Sequence, residues 1–340
     1  MAMAQLSGRS SLRDVVVNLE AQSHRLYHLG STVVPRSTLA RLNEQQPYSL
    51  YEALFEKLLG RCQGMSPRHG FRFKNKLYSL DASTIDICLS VFPWAKFRAT
   101  KGAIKLHRGL GHDGYLPEFV TITDGKVSDI EADRLWEMPK GSIIVFDRGY
   151  TNYGWYNQLT QKGTCFVPRL KKNAQYRILE RRKVHHKQGI TSDQTIEFAG
   201  KQTQRKCPVC LRRVGYRNPE TGKHYVFLTN HFRLSAKTIA DIYKQRWQIE
   251  LFFKWTKQNL KIKSFMGTSK NAVLTQIWIS MCVYLLLAFI KFQSKLNASL
   301  QEILRLLQLN LFEKRDLEGL LRGDLPHAGK HVNPNQLAFF

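Results

Sequence analysis

Residues 143–150 read Ile-Ile-Val-Phe-Asp-Arg-Gly-Tyr: four apolar residues that end on Asp147 and run into the turn residues Arg148 and Gly149. A short apolar run bounded by a charge and a glycine predicts a buried strand. Downstream, NYGWYNQLTQKG (152–163) reads as a helix and CFVPRL (165–170) as another strand, which gives a strand-helix-strand rhythm. Upstream, NKLYSLDAST (75–84) alternates in character and is expected to end as a strand on Asp81. KGAIKLHRGLG (101–111) and YLPEFVTITDG (115–125) predict a hairpin around Gly111 to Gly114, and SDIEADRLWEM (128–138) predicts a helix. The fold class is α/β.

A third acid stands apart. Glu250 is the only acidic residue between Asp241 and Glu302. It belongs to a predicted long helix from about Ser235 to Lys261, where Tyr243, Arg246, Glu250 and Lys257 follow a Tyr-x2-Arg-x3-Glu-x6-Lys spacing. At about 100° per residue these four fall within roughly 60° of one helix face. Lys254 and Lys261 share that face, while Ile242, Ile249, Phe253 and Leu260 form an adjoining apolar stripe that would bury the helix. The polar face is left for a substrate that tolerates many cations around one carboxylate.

Composition points the same way. The 340 residues carry 52 Lys and Arg against 26 Asp and Glu, a net charge of +26 and a pI near 10.0. Such a balance favours a polyanionic partner, most simply nucleic acid, which the resemblance given below narrows to double-stranded DNA. The basic residues are spread over folded-looking segments, which weighs against a basic membrane-surface protein. The apolar stretch from Ala272 to Ile290 approaches bilayer-spanning length, but Thr275, Gln276 and Ser280 interrupt it. It is read as a buried core helix, with no membrane partner expected. Six irregularly spaced cysteines without a signal peptide suggest a reducing cytoplasm. Cys207-Pro-Val-Cys210 is the only close pair; it reads as a hairpin turn with incidental thiols or as half of a zinc site lacking its other half.

The chain divides by pattern. Residues 1–70 read as a helical module with Ser10 or Ser11 capping its first helix and Ser37 or Thr38 capping a later one. A helix-turn-helix-like DNA contact would use Arg36, Ser37 and Arg41 there. Residues 71–168 hold the strands and helix above. Residues 169–230 read as a mostly β insertion; from Arg169 to Lys223 it carries fifteen Lys and Arg against four Asp and Glu. Residues 231–315 return with the Glu250 helix and two packing helices, and 316–340 form a tail.

Asp81, Asp147 and Glu250 are what a divalent-metal phosphoryl-transfer site needs, because hard oxygen ligands select Mg²⁺ or Mn²⁺. Two such ions about 3.5–4 Å apart can serve an in-line displacement at phosphorus. Residue by residue, other readings stand: Asp86 competes with Asp81, Asp147 could be a strand-end cap, and Glu250 could simply pair with Arg246 or Lys254.

Taken together, LYSLDASTID, IIVFDRGY and YKQRWQIELFFKWTKQNLKIKSF resemble the bacterial insertion-sequence DDE transposases, specifically the family-four group with the Tyr-x2-Arg-x3-Glu-x6-Lys signature. The resemblance runs from Ser11 to about Asn310. It implies an RNase H-like core, a mixed sheet flanked by helices, with the β insertion between the second Asp and the Glu. Asp81, Asp147 and Glu250 then become the catalytic, metal-holding triad, with Mg²⁺ or substituting Mn²⁺, two ions per site, as the implied cofactor. Tyr243, Arg246 and Lys257 would contact the DNA backbone, joined by Lys254, Lys261 and Arg148, and an insertion aromatic such as Tyr216 or Tyr225 would hold an unpaired base. The implied activity is binding of terminal inverted repeats by a homodimer, hairpin-mediated excision and strand transfer, in the cytoplasm at the nucleoid. Alternatives are an RNase H-like nuclease without strand transfer and an inactive DNA-binding relative. The family also leads one to expect residues upstream of MAMAQLSGRSSLRD, which reads as a start partway into a helix.

Overall fold

The computed structural model describes residues 1–98, 101–129, 131, 136–262, 264–295 and 297–323, without the side chains of 96–98 and 101. Six strands build the central sheet: β1 (Leu77–Ile87), β2 (Lys96–Arg98), β3 (Lys101–Gly111), β4 (Leu116–Asp124), β5 (Ile143–Phe146) and β6 (Cys165–Pro168). β3 lies antiparallel between β1 and β4, with β2 on its first residues, whereas β1, β5 and β6 run parallel. Three antiparallel strands continued by two parallel ones make an RNase H-like mixed sheet. The parallel half has both faces covered, which is why β5 is four apolar residues with no polar alternation.

Before the sheet come α1 (Ala2–Leu6), α2 (Leu12–Ala21), α3 (Arg36–Gln45) and α4 (Ser49–Met65). α5 (Tyr153–Gln161), opened by the Asn152 side chain on Trp155 N at 3.0 Å, crosses from β5 to β6. A second, four-stranded antiparallel sheet follows: β7 (Tyr176–Arg181), β8 (Ile190–Phe198), β9 (Leu211–Arg217) and β10 (His224–Thr229), with α6 (Lys201–Lys206) before β9. The chain then makes α7 (Ala236–Gln245), α8 (Trp247–Asn259), α9 (Lys270–Ser294), α10 (Leu300–Asn310) and α11 (Leu317–Arg322).

Side-chain alternation in β1 separates the two layers. Tyr78 and Leu80 pack with Ile144, Phe146 and Phe166 under Trp155, Tyr156 and Leu159 of α5. Leu77 packs with Ile143, Val145 and Val167 under Ile239 and Ile242 of α7, which also touch Val214 and Phe227 of the second sheet. Farther along the same face, Ile85, Ile104, Leu106 and Leu110 meet α8 and α9. α9 is the uncharged stretch singled out above. Its residues from Ala272 to Leu285 are all buried, so its length and apolarity serve the core of this fold.

Four sequence expectations change. β1 continues to Ile87, so Asp81 lies within the strand; its pairing with β3 persists through polar Ser83 and Thr84. The single 235–261 helix is two helices, because Arg246 forms a bend with i to i+3 bonds from Arg246 N to Tyr243 O and Ile249 N to Arg246 O. Ser11 does cap α2, through Asp14 N at 3.1 Å, but α3 opens at Arg36 behind Pro35, with no side-chain cap. Residues 22–35 separate α2 from α3, far more than the three or four residues of a helix-turn-helix, so these two helices do not form that motif. Cys207 and Cys210 occupy a helix-to-strand turn, and among the described residues no group of His, Cys, Asp and Glu joins them. Of the expected helix at 128–138, residues 130 and 132–135 lie outside the described residues, as do 324–340 of the tail.

Candidate active site

The two aspartates come together through register. Ser79 pairs with Val145 in the parallel β1–β5 ladder. Two residues farther on each chain stand Asp81 and Asp147, on the same face and about one strand spacing, roughly 4.8 Å, apart in backbone. Asp147 sits where β5 stops and turns: its Oδ1 accepts from Gly149 N at 2.7 Å and caps the 3₁₀ turn Arg148–Tyr150. A Cβ on residue 149 would lie 2.9 Å from that oxygen, so glycine is what lets the amide close on the carboxylate. Asp81 Oδ1 accepts from Ala82 N at 2.9 Å. Asp86, five residues on, faces the other way and is exposed.

Glu250 arrives from above. α8 packs across β1 with Ile249, Phe252 and Phe253 buried, which leaves Glu250 toward the strand acids. Burial pushes the Asp81 carboxyl up to about 6; the neighbouring Asp147 and Glu250 charges add to the rise, while the Ala82 amide and the Arg246 charge oppose it. The three acids therefore share one field. They do not close into a ligand cluster: among the described residues no three acid, His or Cys side chains are gathered as a cation needs. Glu250 is instead engaged by Arg246, whose Nη2 donates to Glu250 Oε1 at 2.5 Å. The donor set is hard oxygen throughout, the chemistry a divalent cation such as Mg²⁺ or Mn²⁺ takes.

The remaining candidates divide. Lys257 Nζ donates to the Thr84 carbonyl of β1 at 3.2 Å, three residues from Asp81. Tyr243 stacks on Phe227 at 4.8 Å, with the Arg246 guanidinium 5.8 Å from its ring. Lys254 is exposed on α8, and Arg148 is exposed in the turn beside Asp147. Lys261 is a correction: α8 ends at Asn259, so it has left the helix face, and its backbone serves Gln5 and Gln276. Arg36 and Arg41 are exposed on α3, which packs on α2 and α9 rather than on the strands of the acids.

Tyr216 and Tyr225, the two insertion aromatics offered above, line one cavity. Between the second sheet and α7 lies a cavity of about 240 Å³, lined by Arg169, Tyr216, Tyr225, Phe227, Tyr243 and Arg246, with Trp247 at its edge. The Arg169 guanidinium sits 5.0 Å from the Tyr225 ring, and Tyr225 and Phe227 are within 5° of parallel. Flat rings with cations beside them suit a planar, electron-rich group next to phosphate.

Known proteins supply the context. The Transposase DDE domain family matches residues 72–286, and a Domain of unknown function (DUF4372) matches residues 1–32. The Sinorhizobium fredii protein y4zB, named as a transposase, is 32% identical over 88% of this chain and 85% of its own length. A protein of Geobacillus stearothermophilus, named as transposase for insertion sequence element IS5377, is 28% identical over 76% of this chain and 68% of its own. The cryo-EM structure of the piggyBac transposase synaptic complex with hairpin DNA aligns with 99% of this chain and 73% of its own, at a TM-score of 0.45 and 11% identity. With a DDE domain over most of its length and relatives of this kind, the chain belongs to the DDE transposases of bacterial insertion sequences, metal-dependent enzymes that act on DNA.

Proposed function

We propose that this transposase binds the terminal inverted repeats of its element as a homodimer, cuts them, excises the element through a hairpin and joins the free 3′-ends to target DNA. The observation that carries the site assignment is the side-by-side placement of Asp81 and Asp147 on adjacent parallel strands with the Glu250 helix laid across them. Asp81, Asp147 and Glu250 would hold Mg²⁺ or Mn²⁺, two ions per site. Bound there, such ions supply Lewis-acid activation of the attacking oxygen and neutralise charge at the leaving one.

The chain's own part is position and field. Lys257, Tyr243, Lys254 and Arg148 hold phosphates about the scissile position. Arg246 exchanges its carboxylate for a phosphate oxygen when DNA enters, and that exchange frees Glu250 to turn toward Asp81. The aromatic cavity takes a base unpaired by hairpin formation, stacked on Tyr225 under Arg169. Each chemical step is one displacement at phosphorus, so a single set of acids serves all of them. The direct test is Mg²⁺- or Mn²⁺-dependent cleavage of a duplex carrying the element's terminal repeat. Nicks, hairpins and strand-transfer products support the full reading; cleavage without joining would make the protein a nuclease, and binding alone an inactive relative.

Two measurements probe details. Tyr225→Ala should weaken binding of a duplex with an unpaired terminal base about tenfold, the loss of one stack, while a fully paired duplex binds as before. Equal loss on both would remove the cavity from the site. The second is pH. Asp81 in the folded chain holds its proton up to about 6, above its ordinary value of 3.8. The stability it contributes is therefore full below about pH 4 and lost as pH rises through about 6. Metal ligation needs the ionised form, so Mn²⁺ should raise the melting temperature at about pH 7.5 and leave it unchanged at about pH 5. Equal stabilisation at both would place the ion elsewhere.

A further inference from the structure

Arg108 is the cross-strand partner of Asp81 in the β1–β3 ladder, and such partners project to the same face. It is wholly buried, and among the described residues none of its three guanidinium nitrogens has a hydrogen-bond partner. Aromatic rings surround it instead. Its Cζ lies 4.7 Å from the Phe252 ring centre and 5.2 Å from that of Phe253. Tyr284 of α9 meets Phe252 edge-on at 4.8 Å and is itself pinned by donating to the Tyr115 carbonyl at 2.9 Å. Burial lowers the guanidinium to about 9, so it is still a cation at neutral pH.

A buried cation without an anion is an expensive way to fill space. Met or Leu would pack between Leu106 and Leu110 on this face without the desolvation cost. What a guanidinium adds is direction, because its charge and plane favour ring faces over edges. The two rings it engages are the second and third residues after Glu250 on α8. One residue of helix rotation is about 100°, enough to carry Glu250 off the acids altogether. The α8 rotation is thus fixed from β3, at the level of Asp81.

We propose that Arg108 is a positioning residue: its cage of Phe252, Phe253 and Tyr284 locks the rotation of α8 so that Glu250 faces Asp81 and Asp147. This rests on the reading of Glu250 as a metal-holding residue. The test compares the parent chain with Arg108→Met, Arg108→Lys and Phe252→Leu, each bound to a terminal-repeat duplex, by Mn²⁺ titration read by electron paramagnetic resonance. Arg108→Met should need about tenfold more Mn²⁺, with duplex affinity within about twofold and an equal or higher melting temperature. Arg108→Lys, which keeps the charge and loses the plane, and Phe252→Leu, which removes one ring, should shift Mn²⁺ binding in the same direction. If Arg108→Met does not fold, these two variants decide. Variants that bind Mn²⁺ as the parent does, or lose it only in step with unfolding, overturn the proposal and leave the active-site reading intact. A parent that neither binds Mn²⁺ nor cleaves overturns both.

Discussion

Glu250→Gln will lower metal-dependent cleavage of a terminal-repeat duplex by about three orders of magnitude or more, about 4 kcal/mol in the barrier, while the duplex binds as tightly or tighter. Gln keeps the size of the side chain and an oxygen for Arg246 to donate to, so the bend between α7 and α8 survives. What it loses is the negative charge that completes the donor set. Removing that charge beside phosphates cannot weaken DNA binding through electrostatics. Asp147→Asn will behave alike, whereas Asp86→Asn, on the exposed opposite face of β1, will cut normally. Single-turnover cleavage paired with fluorescence anisotropy reads both quantities. A Glu250→Gln protein that cuts within tenfold of the parent would remove Glu250 from the site.

The largest effect on stability lies away from the acids. Asp193 of β8 and Arg212 of β9 are 6% and 3% exposed and form a two-pronged pair, Nε to Oδ1 at 2.8 Å and Nη2 to Oδ2 at 2.7 Å. Arg212 Nη1 also reaches the carbonyls of His231, Phe232 and Leu234, the last at 2.6 Å, where the chain leaves β10 for α7. Asp193→Asn alone leaves the Arg212 charge in the interior without a carboxylate and will cost about 3–5 kcal/mol; Arg212→Met will cost less, because Arg182 Nη1 still reaches Asp193 Oδ1 at 3.3 Å. The double variant Asp193→Leu/Arg212→Met should recover most of that in urea unfolding. A single variant with an unchanged midpoint would show that water reaches the pair.

Much of this was readable in the sequence, for identifiable reasons. Asp147 was placed by the abruptness with which four apolar residues give way to charge, and in the fold it stands where β5 stops. The α9 stretch was assigned to the core by its internal Thr275, Gln276 and Ser280, and all three are buried. The bend at Arg246 was not visible, since nothing in YKQRWQIE breaks a helix; it falls where α7, wedged between β5 and β6 of the first sheet and the second sheet, gives way to α8, which packs on β1. Tyr216 and Tyr225 stood only as alternatives, because the cavity they share is lined from Arg169, two strands and a helix far apart in sequence. Arg108 is different. Ile104, Leu106 and Leu110 mark alternate residues of β3 as buried, so period-two counting alone puts Arg108 inside.

The bend at Arg246 also dictates how parts could be exchanged between relatives. Ile239 and Ile242 of α7 are packed with Val214 and Phe227 of the second sheet, whereas Ile249 and Phe253 of α8 belong with Ile85 and Ile104 of the first. A chimera that swapped only residues 169–230 would leave α7 facing a foreign surface. One that carried the exchange through Gln245 would keep α7 with the second sheet, with Arg246 as the seam, but would set Ile239 and Ile242 on a foreign Leu77, Ile143, Val145 and Val167, so those four positions must be matched as well.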